Sequence, residues 1–183
     1  RFFAYDDPTE YLKVTEAGEL SDAFWNVMLL QKLDTSVASS PYFKIFLAAQ
    51  AKVHDKGFLS EHVEVESMLE NRGDIHHKKY LTKHKLERGM YNQIANYVFL
   101  QQEINIKISD DAPCTYMQEV VNQCKTKKPV YGGIIDKAVL AENLRQNCIP
   151  DGFENMDIND YREFLIRRRK LMAQKIREYY ESL

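Results

Sequence analysis

The sequence predicts a mainly α-helical fold, and three observations lead to that prediction. Apolar side chains recur at three- and four-residue spacing in residues 21–33 and again in residues 157–180. Pro41 stands where a further helix can begin, because proline fits the first helical turn, in which its missing N–H is not needed. The content of 44% hydrophobic and 28% charged residues is typical of a globular protein.

At 183 residues the chain is expected to form a single helical domain over residues 1–183. Its start at Arg1, in place of methionine, indicates a fragment of a longer protein. No apolar run approaches the roughly 18 residues that cross a bilayer, and no signal-peptide pattern opens the chain. We therefore expect no membrane partner and a cytoplasmic location. Cys114, Cys124 and Cys148 are widely spaced, which predicts reduced thiols and neither a disulfide framework nor a zinc ribbon.

Caps and chain breakers predict the elements of the first half. Asp6-Asp7-Pro8-Thr9 predicts a turn, because proline fixes its own φ and disfavours helix at the residue before it. Ser21 or Asp22 is suited to cap the helix over residues 21–33. The helix that Pro41 opens is expected to run to about residue 53. A short helix over residues 64–71 is expected to end at Gly73 as its C-cap.

The second half is predicted to hold three more helices. They cover residues 111–124, residues 138–147 and a long segment that Asp157 caps and that runs to about Tyr180. Residues 125–133 form a loop between the first two. Arg167-Arg168-Arg169-Lys170 lies in the middle of the long helix. Because four consecutive residues cannot share one helix face, at least one must extend past its neighbours or pair with an acid such as Glu163; the others suit either a solvated face or a DNA-backbone contact.

The stretch Gly73-Asp74-Ile75-His76-His77 is the part of the chain that looks suited to chemistry. On an extended strand, adjacent residues face opposite sides, so one imidazole can bind a metal while the other faces water. An isolated His-His pair beside Lys78 and Lys79 is more typical of a solvated basic turn. Here the pair is followed by Asn96, nineteen residues after His77, and by Asn105, nine residues after Asn96.

This order of histidine and two asparagines resembles the HNH nuclease motif, or ββα-metal finger. The resemblance implies that His77 is the general base and that Asn96 orients it, while His76 and Asn105 ligate a divalent metal, Mg²⁺ or Mn²⁺. Asp74, two residues before His76, is expected to add a carboxylate to that metal site. The finger is expected at about residues 72–110, with strands over 74–77 and 97–100 and a helix over 101–108. The alternating isoleucines of that last segment also suit a strand, and only the resemblance favours a helix.

A wider resemblance links the chain from about Ser39 onward to the C-terminal half of GmrSD-type restriction proteins. It rests on Ser39-Ser40-Pro41-Tyr42-Phe43, Gly57-Phe58-Leu59-Ser60, the histidine stretch, residues 91–96 and the closing segment 164–180. It implies a DNA endonuclease of restriction or phage defence, paired with an N-terminal ParB-like nucleotide-using domain that this sequence lacks. In that family Ile-Phe-Pro follows the histidines, whereas Lys78-Lys79-Tyr80-Leu81 follows here. A shortened hairpin favours the alternative, a degenerate HNH-fold module that binds DNA or a partner without catalysis.

The charge distribution is compatible with double-stranded DNA as the ligand. A formal net charge of -2 argues against a protein that coats nucleic acid nonspecifically. Between Arg72 and Arg88, however, six basic residues face two acidic ones, a local excess around the histidines. The residues predicted to contact nucleic acid are Lys78, Lys79, Lys83, Lys85, Arg88 and Lys107.

Overall fold

The computed structural model describes Thr9, residues 18–69 and residues 72–183. The turn predicted at residues 6–9 falls outside these residues except for Thr9. The last two residues of the helix predicted over 64–71 also lie outside them.

The prediction of a mainly α-helical fold is confirmed. The helices are α1 (Leu29–Leu33), α2 (Pro41–Lys52), α3 (Lys78–Lys83), α4 (Arg88–Tyr91), α5 (Gln102–Ile108), α6 (Pro113–Thr126), α7 (Lys137–Gln146) and α8 (Tyr161–Glu181). A π-helical segment, Phe24–Met28, leads into α1, and 3-10 turns cover Val65–Met68, Ile94–Asn96, Phe153–Asn155 and Ile158–Asp160. No helix in these described ranges is long and apolar enough to cross a membrane.

Three helix starts follow local signals in the sequence. Pro41 is the first residue of α2, as expected. The Asp157 side chain accepts a hydrogen bond from the Asn159 N–H at 2.7 Å, and the Asp160 side chain accepts one from the Asp157 N–H at 3.0 Å. This reciprocal cap starts the 3-10 turn that leads into α8. The side chain of Asp136 caps α7 in a similar way, by accepting from two N–H groups of the first turn.

A two-stranded antiparallel sheet is the only sheet among residues 18–69 and 72–183. Strand β1 (Arg72–Asp74) pairs with β2 (Tyr97–Phe99), and Gly73 lies opposite Val98. Helix α5 begins three residues after β2, so the chain order is strand, strand, helix. The predicted second strand and the helix at 101–108 are thus found within a residue or two of their expected bounds.

The predicted first strand, over residues 74–77, is wrong. Strand β1 lies two residues upstream, because the chain bends at His76 and His77 becomes the N-cap of α3. The prediction that Gly73 ends a helix is also wrong, since Gly73 lies within β1 and the helical turn before it stops at Met68. Glycine is needed there for packing: a Cβ would lie 2.3 Å from a methyl carbon of Leu100 and 2.9 Å from Oδ1 of Asn105.

Helix α8 organises the core. It packs against α1, α2 and the turn Ile94–Asn96, and Tyr161, Phe164 and Met172 are buried along its length. Burial of this apolar face, more than helix propensity, stabilises a helix in water. The three cysteines carry free thiols, as predicted.

Candidate functional site

The side chain of Asn96 holds the backbone of His76 through two buried hydrogen bonds. Its Oδ1 accepts from the His76 N–H at 2.8 Å, and its Nδ2 donates to the His76 carbonyl oxygen at 2.9 Å. A third bond, from the Ile75 N–H to the Asn96 carbonyl oxygen at 2.9 Å, extends the pairing beyond β1. Asn96 ends the 3-10 turn just before β2, so the turn places its amide at the point where the strands separate.

The imidazole of His76 lies in an aromatic enclosure. It is 0% exposed, and its ring centroid is 4.5 Å from that of Phe164, 4.9 Å from that of Tyr161 and 5.7 Å from that of Phe153. Burial, together with the positive charge of Arg168, lowers the pKa of His76 to about 3. His76 is therefore neutral at any physiological pH, which leaves a lone pair on one ring nitrogen.

The described residues contain four buried side-chain nitrogen or oxygen atoms without a hydrogen-bond partner. They are Nδ1 and Nε2 of His76, Oδ1 of Asn105 and Nε of Arg169. Three of the four thus belong to the two residues predicted to ligate a metal. An unpartnered buried polar group is rare and calls for an explanation, such as an ion. A neutral imidazole and an amide oxygen each belong to the ligand types that divalent cations use in proteins.

The predicted ligand set is sparse in charged groups. Across the residues whose structure is described, no three or more His, Cys, Asp or Glu side chains are grouped as metal ligands. Asp74 is the carboxylate nearest in sequence to His76, and it lies opposite Tyr97 in the sheet. Burial raises its pKa to about 6, against the lowering effect of the Arg72 and Lys78 charges. Carboxylates with raised pKa values occur at functional sites, where the pKa of a group is matched to its task.

His77 is more exposed than His76 and stands at the N-cap of α3. It is half-buried, and its Nδ1 accepts a weak hydrogen bond of 3.4 Å from the Lys79 N–H at the start of α3. Burial and the adjacent Lys79 lower the pKa of His77. The lowered pKa favours the neutral ring, which is the state that a general base requires, and the Nδ1 lone pair is engaged only by the long capping bond.

The basic residues around His77 divide into two groups. Lys83 forms an ion pair with Asp110, and Lys107 donates to the Val130 carbonyl oxygen at 2.7 Å. Lys78 lies over the Tyr91 ring, with its Nζ 5.5 Å from the centroid. Lys83 is also exposed, and the other exposed lysine and arginine residues on and between α3 and α4 are Lys78, Lys79, Lys85 and Arg88.

Arg168 is the residue of this region that sequence reasoning did not single out from its neighbours. It is 1% exposed, and its guanidinium donates to the carbonyl oxygens of Ala95, Tyr97 and Asn147. The signal for it was its spacing: Arg168 lies four and seven residues after Phe164 and Tyr161, on the apolar face of α8. The basic run 167–170 is therefore divided, and only part of it can face solvent.

Comparison with protein-family models, with curated proteins and with solved structures found no match for this chain. The chemistry of the site must therefore be argued from its own residues.

Proposed function

We propose that this chain is a metal-dependent endonuclease that hydrolyses phosphodiester bonds of double-stranded DNA. The single observation that carries the proposal is the pair of unpartnered, buried ligand-type groups on His76 and Asn105. They occur at the two positions that the HNH motif assigns to a metal, and Asn96 lies between them in the sequence. In the wider setting we propose an effector domain of a restriction or phage-defence protein of the GmrSD type, with a ParB-like nucleotide-using domain as its partner.

The residues that would hold Mg²⁺ or Mn²⁺ are His76, through a ring nitrogen, and Asn105, through Oδ1. Asp74 would contribute a carboxylate, directly or by hydrogen bonding to the other ligands. When bound, such a cation offsets the negative charge that develops on the phosphate and on the departing oxygen. A Cβ at Gly73 would lie 2.9 Å from Oδ1 of Asn105, so the Asn105 amide is next to β1, the strand that precedes His76.

His77 is the proposed general base. A neutral imidazole at the surface can take a proton from a water that attacks the phosphorus atom, and its lowered pKa keeps it neutral at pH 7. Asn96 acts as a positioning residue, because its two bonds to the His76 backbone fix the chain immediately before His77. Lys78, Lys79, Lys85 and Arg88 supply the positive surface beside His77 that would contact DNA phosphates.

A second function is favoured by the closed surroundings of His76. Its ring is enclosed by three aromatic rings, and α3 begins directly after His77 without the intervening residues of the HNH family. A finger closed in this way suits a module that binds DNA or the ParB-like domain without cleaving DNA. The exposed lysines of α3 would serve that function equally well.

The test is a cleavage assay on supercoiled plasmid with Mg²⁺, Mn²⁺ or EDTA. We expect metal-dependent nicking by the wild-type chain and none by His77→Ala. His62→Ala is the matched control, because the His62 side chain is 84% exposed and His62 lies outside residues 72–110 of the sequence. Nicking that survives in His77→Ala would remove His77 from the mechanism.

Metal binding is tested separately by titration calorimetry with Mn²⁺. Asn105→Ala is expected to weaken Mn²⁺ binding while DNA binding in EDTA stays unchanged. A wild-type chain that binds DNA through Lys78 and Lys79, but neither nicks it nor binds Mn²⁺, would establish the binding module in place of the nuclease.

A further inference from the structure

Arg168 connects the last helix to the candidate site through the main chain. Its Nη1 donates to the Ala95 carbonyl oxygen at 2.7 Å and to the Tyr97 carbonyl oxygen at 2.8 Å, the two residues that flank Asn96. On the other edge of the guanidinium, Nη2 and Nε donate to the Asn147 carbonyl oxygen at 3.1 and 3.3 Å. In the described part of the chain, no carboxylate pairs with this cation.

This arrangement requires arginine specifically. The planar guanidinium carries five N–H donors in fixed directions. Nη1 can therefore donate to two carbonyl oxygens while Nη2 and Nε donate to a third. A lysine ammonium is a point charge on a flexible stem and cannot reproduce that geometry. A buried cation without a counter-ion is costly, and here only backbone dipoles compensate it. This unfavourable burial occurs where the guanidinium fixes the backbone on both sides of Asn96.

We propose that Arg168 is a positioning residue of the candidate site, which aims the Asn96 amide at the backbone of His76 by fixing the carbonyl groups on either side of Asn96. The same helix face also encloses the His76 ring, since Tyr161 and Phe164 lie seven and four residues before Arg168. Helix α8 therefore controls both the backbone and the ring of His76. The effect of Arg168 on catalysis rests on the proposed nuclease function, whereas its effect on the backbone around Asn96 does not.

Amide hydrogen exchange, followed by NMR on the full chain without metal or DNA, tests the structural part. The probe is the His76 N–H, which Asn96 holds, and the reference is the buried Leu59 N–H, which donates to Asn143 Oδ1 at 2.9 Å. In Arg168→Lys we expect exchange at His76 to accelerate at least about tenfold more than at Leu59, because the finger opens locally. Equal acceleration at both amides would overturn the proposal.

Lys175→Met is the matched control. Lys175 lies on the same helix, seven residues after Arg168, and pairs with the buried Asp55 away from Asn96. We expect this variant to accelerate exchange at His76 and Leu59 by the same factor, as a loss of global stability does. A selective effect at His76 in Lys175→Met would show that any damage to α8 opens the finger, and would overturn the specific role of Arg168.

A measurement on the wild-type chain covers the case in which Arg168→Lys does not fold. A guanidinium held by three carbonyl groups rotates slowly, so the Nη resonances of Arg168 are expected to be separate and slow to exchange, unlike those of exposed Arg162. Averaged Nη resonances for Arg168 would overturn the proposal.

Plasmid nicking tests the functional part. If wild type nicks plasmid, Arg168→Lys should lower kcat with little change in KM for DNA, because the exposed lysines of α3 are untouched. Unchanged kcat together with selective opening at His76 would overturn the functional part. An inactive wild-type chain would remove the nuclease proposal, while the exchange experiment would still decide whether Arg168 positions Asn96.

Discussion

The side chain of Asn96 continues the strand pairing to His76 after the sheet itself has ended. Strand β1 stops at Asp74, yet the Asn96 amide bonds both the N–H and the carbonyl group of His76, at 2.8 and 2.9 Å. One side chain thus satisfies two buried backbone groups that no strand can reach. The position of the His76 backbone depends on this amide, and so does the direction of the chain at His77.

Replacement of Asn96 should therefore weaken the whole fold. Asn96→Ala leaves the N–H and carbonyl groups of His76 buried without partners, and we expect the free energy of unfolding to fall by about 2–4 kcal/mol. Urea unfolding followed by circular dichroism measures the change, with Asn26→Ala, at an exposed position, as the control. A loss no larger than that of the control would mean that water replaces the amide.

The half-buried carboxylate of Asp74 should make stability depend on pH. Burial raises its pKa from 3.8 to about 6, so the folded state binds an extra proton between these values. Stability then falls as pH rises through this window, and the penalty is fully present above it. Asp74→Asn should raise the free energy of unfolding at about pH 7.5 by about 1–2 kcal/mol, less than the full shift would give because the carboxylate keeps some contact with solvent.

The same Asp74 comparison at about pH 4 provides the check, because the carboxyl is then protonated in the folded state and partly protonated in the unfolded state, so most of the advantage of Asn should be lost. Equal gains by Asp74→Asn at the two pH values, in urea unfolding without metal, would contradict the burial effect.

The buried ion pair between Asp55 and Lys175 should show strong coupling. Asp55 is 2% exposed, and burial raises its pKa even though Lys175 opposes the effect. Lys175→Met leaves a buried carboxylate without its partner, and we expect a loss of about 3–5 kcal/mol near neutral pH. Adding Asp55→Asn to the Lys175→Met variant should recover a large part of that loss. A double-mutant cycle by urea unfolding measures the coupling, and strictly additive effects would show that water already screens the pair.

Two glycines offer a matched pair of substitutions. Gly132 has a φ of +63°, and a Cβ there would lie 2.1 Å from the Leu59 carbonyl oxygen, so Gly132→Ala should cost at least about 2 kcal/mol of unfolding free energy. Gly89 lies in α4 with nothing within 4 Å of its would-be Cβ. Gly89→Ala should be neutral or stabilise by up to about 1 kcal/mol. Thermal unfolding of both variants tests the contrast, and similar melting temperatures would refute it.

The helices were predictable because their signals are local. Proline at the start of α2, aspartate at the start of the turn before α8 and apolar spacing along α8 each act within a few residues. The first strand was misplaced because its signal is not local. The sequence Arg72-Gly73-Asp74 has no apolar alternation, and it becomes a strand only because β2, more than twenty residues later, pairs with it.

The candidate site was predictable in its residues but not in its surroundings. The spacing of His76, Asn96 and Asn105 selected the groups whose buried polar atoms prove to be unpartnered or mutually bonded. The enclosure of His76 by Tyr161 and Phe164 depends on packing between segments more than eighty residues apart. No local pattern specifies such a contact, and the burial of Arg168 follows from the same long-range packing.

The hydrogen bonds from Arg168 to residues 95 and 97 also have a consequence for folding during synthesis. The residues that it holds emerge from the ribosome some seventy positions before it does, and the rings that enclose His76 emerge almost as late. Until α8 is available, the segment before β2 lacks the guanidinium that holds it, and a pair of three-residue strands is marginal in water by itself. The nascent chain therefore carries an incompletely held β1–β2 segment, and we expect His76 to reach its final arrangement only when α8 has been translated.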